Sequence, residues 1–342
     1  MSKEILITGG AGYIGSHTIL ELIKTDHKPV IVDNLSTGHQ QSVLGGTFYN
    51  CDLSDTEQLK KIFAKHKIDT IMHFGANCYI GESVVNPHKY FKNNVGNTIN
   101  LLGVMLEAEV KKIIFSSSAA IYGNPVQLPM DEHHPQHPCN PYGMSKLFIE
   151  QIINTYENAY GIKHIYLRYF NAAGADLETR IGEDHYPETH IIPLLIQTAM
   201  GVKKQFTVFG ADYNTKDGTC IRDYVHVGDV ARAHIKAMQY LDQTKTSNEF
   251  NLGYSIGYSV KEIINRVEKI TGKKIPVEYS ERREGDPAVL IASYEKAKDI
   301  LEWEPRHDID SIIQTAWDWY KKYPKGFKDI KQRGHTLERE LA

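Results

Sequence analysis

The sequence predicts an α/β protein: a doubly wound parallel sheet with a smaller, mixed α/β C-terminal part. Two observations carry that expectation. Over the first half of the 342 residues, short apolar runs alternate with longer amphipathic stretches, as strands do with their crossover helices. The first of these runs leads straight into a glycine-rich turn, TGGAGYIG at 8–15, the place where a strand hands over to a helix N-terminus.

The elements follow in order. EILIT (4–8) is a short apolar strand, and the stretch after the glycines reads as a helix over about 13–25. PVIVDN (29–34) and TFYNCDL (47–53) read as the next strands, and TEQLKKIFAKH (56–66) is an amphipathic helix. DTIMHFG (69–75) is a fourth strand. A helical stretch with its centre at 94–110 leads to KKIIFSSS (111–118), a fifth strand. A helix opened by Pro141 runs to about Tyr160, Pro being tolerated in a first helical turn, and KHIYLRYF (163–170) is a sixth strand. Beyond Asn171 the pattern breaks into polar, turn-rich segments and shorter elements. The expected division is 1–180 and 181–342, with a segment of about 222–253 returning to the first unit.

Composition narrows the function classes. Hydrophobic residues make up 41% and charged residues 24%, enough to bury a sizeable core and too apolar for disorder. The net charge of −3 lacks the basic excess of a nucleic-acid or membrane-surface binder, so neither partner is expected. No apolar run reaches membrane-spanning length, and no secretory leader precedes the first strand. Cys51, Cys78, Cys139 and Cys220 fit no zinc or redox spacing, which suits free thiols and a cytoplasmic protein. DEHHPQHPC (131–139) gathers His133, His134, His137 and Cys139 in a pattern that matches no standard zinc site. No metal is expected. Trp303, Trp317 and Trp319 read as packing residues.

The glycine turn carries chemistry. Gly9, Gly12 and Gly15 let the backbone approach a diphosphate at a helix mouth. Asp33 ends the second strand about 20 residues further on, where a carboxylate accepts from an adenosine ribose and repels a 2′-phosphate. Together they predict a Rossmann-type site for NAD. Asp52 is a candidate for the adenine edge, and HFGA (73–76) ends the fourth strand at the edge where such sheets bind ligands.

NPYGMSK (140–146) places Tyr142 and Lys146 four residues apart, on one face of a helix. A phenol with a pKa of about 10 is a poor base at neutral pH. A nearby ammonium, helped by a cationic nicotinamide ring, favours the phenolate and makes Tyr142 a usable proton acceptor. Ser118, leaving the fifth strand, is expected to hydrogen-bond the same sugar hydroxyl.

TGGAGYIG, Asp33, SSSAAIYG (116–123) and YGMSK together resemble the extended short-chain dehydrogenase/reductase family. DNLSTGH, HFGANCYIGESV, LRYFNAAGA, DGTCIRDYVHVGDVARAH, FNLG and RREGDP extend that resemblance, in order, to its nucleotide-sugar 4-epimerases, over about residues 4–325. The resemblance implies interconversion of UDP-galactose and UDP-glucose through transient oxidation at C4, with NAD staying bound. It implies Tyr142 as base, Lys146 as tuning cation and Ser118 as hydrogen-bond partner. It assigns Gly9, Gly12, Tyr13, Ile14 and Gly15 to the pyrophosphate, Asp33 to the ribose, and Asp52 with Leu53 to the adenine. Asn34, Ser36, Thr37, Gly38, Phe74, Gly75, Ala76, Asn93, Ser116, Tyr169 and Phe170 join them around the cofactor. Asn171, His190, Ile191, Phe209, Arg222, Arg283 and Asp286 are implied for the UDP-sugar, the arginines facing the diphosphate because their planar fork donates in pairs. A homodimer is implied, with 94–110 as the candidate interface helix.

The chain departs from some members' pattern at several positions. Cys78 stands where some carry a cofactor-contacting lysine, and His190 where some carry asparagine. Gly75 and Ala76 appear in swapped order, and Leu290 sits where bulk disfavours an N-acetyl group. A 4,6-dehydratase needs an acidic pair after the serine; Ala119 and Ala120 cannot serve. A 4-epimerase for UDP-N-acetylhexosamines or UDP-uronic acids, and a non-catalytic NAD-binding regulator, remain the alternatives.

Overall fold

The computed structural model describes residues 2–283 and 286–330. The first half alternates as its hydrophobic pattern demands: β1 (Glu4–Thr8), α1 (Tyr13–Leu22), β2 (Lys28–Asp33), β3 (Thr47–Asn50), α2 (Thr56–Lys65) and β4 (Ile68–His73). Then come α3 (Ile80–Val85), α4 (Pro87–Tyr90), α5 (Asn97–Glu107), β5 (Lys112–Ser118), α6 (Pro141–Tyr160) and β6 (Lys163–Tyr169). The remainder comprises β7 (Asn171–Ala173), α7 (Ile191–Ala199), β8 (Phe206–Phe209), β9 (Ile221–His226), α8 (Val227–Thr244), β10 (Asn248–Leu252) and β11 (Gly257–Ser259). It closes with α9 (Val260–Thr271), β12 (Val277–Ser280), β13 (Val289–Leu290), α10 (Glu295–Leu301) and α11 (Ile309–Lys322).

Seven parallel strands form the main sheet in the order β10-β6-β5-β4-β1-β2-β3. The strand order reverses between β1 and β4, the topological switch point at which such sheets bind ligands. Side chains alternate across the sheet. Ile5 and Ile7 enter a core shared with Ile19 of α1 and Val230 and Met238 of α8. Leu6 enters the opposite core, with Leu59 of α2, Leu101 of α5 and Ile149 of α6. Helices therefore cover both faces, which explains why the strands are near-continuous apolar runs.

β10 lies beyond residue 181 yet pairs with β6, and α8 packs against α1. A second, smaller sheet is built on β9, which pairs with β7, β11 and β13, while β8 and β12 form a separate pair. Trp319 is fully buried in the core of this second layer, and Trp303 is fully buried against α8, its indole N–H donating to the Asp229 carbonyl.

Some boundaries differ from the periodicity reading. The 94–110 helix begins earlier, as a π-helical turn at Phe91–Gly96 that runs into α5. Asn94 explains the wide turn: its buried amide accepts from the Asn77 N–H and donates to the Asn77 carbonyl and to Ser145 of α6. A side chain so engaged is a usual cause of a π-bulge, which often sits at a functional site. Of the RREGDP motif, Glu284 and Gly285 lie outside the described residues, as does 331–342. Among the described residues no helix is long and apolar enough to cross a membrane.

Buried histidines set the acid limit of this fold. His73 bridges Thr8 and Thr98, at 2.6 and 2.9 Å, and His226 donates or accepts at Thr315 and caps α8 through Gly228 N–H. Burial holds both rings neutral, pushing each pKa down to about 3. The unfolded chain, with His near 6.5, binds more protons between those values, so stability is full above about 6.5 and is lost as pH falls toward 3. Each ring is expected to remove about 1.4 kcal/mol between pH 7.5 and 5.5. Urea midpoints measured at the two pH values check this; equal midpoints contradict it.

Candidate active site

The glycine turn is dictated by close backbone approach. Gly9 has φ +69°, and a Cβ there would lie 2.6 Å from the Gly75 nitrogen; one on Gly15 would lie 2.4 Å from the Gly9 carbonyl oxygen. Gly12 is the N-cap of α1. The first helical bond runs from Ser16 N–H to the Gly12 carbonyl, leaving the amides of Tyr13, Ile14 and Gly15 at the helix mouth without an intrahelical acceptor. That is an anion-binding arrangement.

A cleft opens over this turn. Its lining includes Gly9, Gly12, Asp33, Asn34, Ser36, Thr37, Gly38, Leu53, Phe74, Gly75, Ala76 and Asn93, all anticipated from the sequence, and Val32, Cys51, Asn77 and Asn97, which were not. Asp33 is buried. One carboxylate oxygen accepts from Ala11 N–H at 2.9 Å and the other from Leu35 N–H at 2.8 Å, so the residue shapes the turn as well as facing the cleft. Asp52 is absent from the lining; its carboxylate accepts from Asn34 Nδ2 and Ser54 N–H, and the neighbouring Cys51 and Leu53 face the cleft instead. The Tyr13 hydroxyl donates to the Gly174 carbonyl at 2.6 Å, which leaves its backbone amide, and not its phenol, at the helix mouth.

Asn140 caps α6 by accepting from Gly143 N–H, and Pro141 occupies the first turn. Tyr142 and Lys146 follow on one face. Lys146 is buried; its ammonium donates to the Ser116 carbonyl at 2.8 Å and lies 4.8 Å from the Phe115 ring centroid and 5.9 Å from that of Tyr142. Burial lowers its pKa to about 8. Burial also raises the Tyr142 pKa well above the phenol range, the Cys78 thiol nearby adds to this, and the hydrogen bond with Ser118 opposes it. Desolvation therefore favours the neutral phenol, and the phenolate expected from the sequence needs the cationic nicotinamide ring that the expectation included. Ser118 also caps the next turn, accepting from Ala120 N–H. Ser116 and the Tyr169 hydroxyl are hydrogen-bonded partners, and Phe170 is buried with Tyr122, Leu147 and Ala292, against which Leu290 packs.

The second sheet gathers residues that are far apart in sequence. Asn171 on β7 donates to the Asp223 carbonyl of β9, and Leu290 on β13 stands beside Arg222. Arg222 pairs with Asp286 at 3.1 Å. The Arg283 guanidinium lies 4.1 Å from the Phe209 ring centroid. His190 precedes Ile191, the first residue of α7, and contacts Glu183 and Glu188.

Glu150, which the sequence reading missed, lies on the same face of α6 two turns beyond Tyr142. Its carboxylate takes a two-point contact from Arg168 of β6, at 3.0 and 2.7 Å, and accepts from Ser117 of β5 at 2.6 Å. Arg168 also donates to the Tyr122 hydroxyl. The 142, 146, 150 spacing was present in the sequence; the partner on β6 was not deducible from it. In the 131–139 stretch, the His134 ring accepts from Val126 N–H. Among the described residues, the group of metal-ligating side chains lies elsewhere, at Glu183, His185, Glu188 and His190.

The family description "NAD dependent epimerase/dehydratase family" matches residues 5–253. A UDP-glucose 4-epimerase of Halalkalibacterium halodurans is 51% identical over 94% of this chain and 97% of its own. The crystal structure of a UDP-glucose 4-epimerase superposes with TM-score 0.92 at 46% identity, covering 95% of this chain and 99% of that one. That of the Bifidobacterium longum UDP-glucose 4-epimerase, in complex with NAD+ and UDP, superposes with TM-score 0.91 at 38% identity, covering 95% and 100%.

Glu150→Gln leaves the Arg168 charge buried with half a partner. The expected cost is about 3–5 kcal/mol in urea unfolding, and a loss under 1 kcal/mol contradicts the assignment.

Proposed function

This chain belongs to the NAD dependent epimerase/dehydratase family, and we propose that it interconverts UDP-galactose and UDP-glucose with NAD held in the cleft over β1 and β4. The observation that carries this reading is the placement of Tyr142 and Lys146 on one face of α6, with Ser118 near enough to the phenol to favour its ionised form. The residues present fit NAD. Gly9 and Gly15 have no room for a side chain, the first-turn amides of α1 await an anion, and Asp33 faces the cleft with a carboxylate that suits a ribose diol and repels a 2′-phosphate. The chemistry that NAD supplies when bound is reversible hydride acceptance at the sugar C4.

This chain's residues supply the rest. Tyr142 takes the proton of the sugar 4-hydroxyl and later returns it, with Ser118 holding the same oxygen. Lys146, anchored to the Ser116 carbonyl, keeps a positive charge one helical turn from the phenol, so that the further positive charge of a bound nicotinamide ring shifts Tyr142 toward phenolate. Arg222 and Arg283 take the diphosphate, which means that Arg222 exchanges its contact with Asp286 for phosphate oxygens. Asp286 then meets the uridine ribose, Phe209 the uracil, and Asn171, His190 and Ile191 border the sugar. The tethered 4-keto sugar turns about its diphosphate and presents its other face, so C4 inverts. Positioning carries the rate. Residues 1–180, joined by about 222–253, serve the cofactor, and the remainder of 181–342 serves the UDP-sugar. Leu290 crowds the sugar C2 side and disfavours N-acetylated substrates.

A homodimer fits the exposed apolar residues of two adjoining helices: Ile99 on α5, with Met144 and Phe148 on α6, at 43, 37 and 40% exposure. Phe91 stacks on Phe148 at 5.9 Å and extends the patch. The four cysteines are free thiols, which suits the reducing cytoplasm.

Purified protein given UDP-galactose and no added cofactor is expected to form UDP-glucose, and Tyr142→Phe to lower turnover by roughly 10³-fold with NAD still bound. Conversion of UDP-N-acetylgalactosamine but not UDP-galactose overturns the substrate assignment, and unchanged turnover in the variant overturns the role of Tyr142. Phe148→Asp is expected to shift the particle from twice the chain mass to once in gel filtration with light scattering. A monomeric parent refutes the dimer.

A further inference from the structure

The eight residues EDHYPETH (183–190) contain Glu-x-His twice, and the fold brings all four side chains together just ahead of α7. One ligand atom from each of Glu183, His185, Glu188 and His190 lies within 4.8 Å of the others. His190 Nδ1 stands 2.8 Å from Glu183 Oε1 and 2.9 Å from Glu188 Oε1, and His185 Nδ1 stands 3.2 Å from Glu183 Oε1. A single N–H on His190 cannot point at two carboxylates at once. Both carboxylate side chains are 4% exposed. Glu188 Oε2 is buried without a hydrogen-bond partner and is aimed at the cluster, 3.9 Å from His185 Nδ1. The Tyr79 hydroxyl is likewise buried and unpartnered, and its ring packs edge-on to His185.

We infer that Glu183, His185, Glu188 and His190 form a site for a divalent transition-metal ion, with zinc as the fitting ion. Two imidazole nitrogens and two carboxylates are a borderline donor set of the kind zinc takes in tetrahedral geometry. Bonds of about 2.0–2.2 Å place tetrahedral ligands roughly 3.3 Å apart, within the range seen here, from 2.8 Å for the His190–Glu183 pair up to the 4.8 Å limit of the cluster. Two carboxylates balance the ion's charge, and the ion replaces the strained sharing of the His190 N–H and engages the orphaned Glu188 oxygen. Coordination through Nδ1 leaves His190 Nε2 as a free donor on its exposed side. The site shares His190 with the proposed sugar edge of the active site, and its metal content is read apart from turnover.

The test reads metal directly. Tag-free full-length protein is stripped with EDTA, dialysed against Zn2+, gel-filtered and analysed by plasma mass spectrometry. About one zinc per chain is expected, as a four-ligand site binds a single ion. His185→Gln and Glu188→Gln should each lower retained zinc at least about tenfold with NAD content and circular dichroism unchanged, while His133→Ala retains it. Wild-type zinc below about a tenth of an ion per chain, or full retention by the folded His185→Gln and Glu188→Gln proteins, overturns the site. Should His185→Gln fail to fold, the isosteric Glu188→Gln decides alone.

Discussion

The buried ion pair between Glu150 and Arg168 decides where the face of α6 stands. Both side chains are almost wholly buried, so their charges survive only because each satisfies the other. Arg168 comes from β6 and Ser117 from β5, and both meet the one Glu150 carboxylate. This locks the rotation and axial position of α6 against two strands. One turn back, Lys146 makes the next contact to the sheet, at Ser116. One turn further back is Tyr142. A helix held only by Ile149 and Ile153 could slide or rotate at little cost, whereas a two-point charge contact cannot.

The same burial that fixes the helix suppresses its charges. Tyr142 holds its proton and Lys146 has a depressed pKa. Both shifts arise from desolvation, and they favour the neutral phenol while the lysine, at about 8, still carries its charge at neutral pH. In the proposed reaction the balance moves when a ligand brings positive charge beside the phenol, so reactivity is coupled to occupancy. The neutral His73 behind the pair belongs to the same arrangement. It bridges Thr8 at the end of β1 and Thr98 on α5, and a second cation there would face Lys146.

The second layer gathers its residues by a different principle. β9 collects Asn171, Arg222 and Leu290 from three segments through main-chain pairing. Asp223 supports it from below, its buried carboxylate accepting from Tyr254, Ser255 and Ala292 N–H groups. The Arg222–Asp286 and Arg283–Phe209 contacts keep the cationic side chains partnered.

What was legible in the sequence was local. The strand-glycine-helix turn, Asp33 at the end of β2, and Tyr142 with Lys146 at helical spacing are all encoded within a few residues, where backbone geometry maps spacing onto direction. The alternation of strands and helices likewise implied the parallel sheet, and the resemblance read from joint motifs pointed to the family to which the chain belongs. Only the tertiary structure decided the partners. Glu150 meets a residue 18 positions away, and Arg222 one 64 positions away. Asp52 turned to Asn34 while Cys51 and Leu53 took the cleft. Burial, a property of the whole packed molecule, favours the neutral Tyr142 phenol, which the spacing to Lys146 does not announce. The Glu183 to His190 segment sits between these cases: its residues are contiguous, but only the packed turn makes their ligand atoms converge.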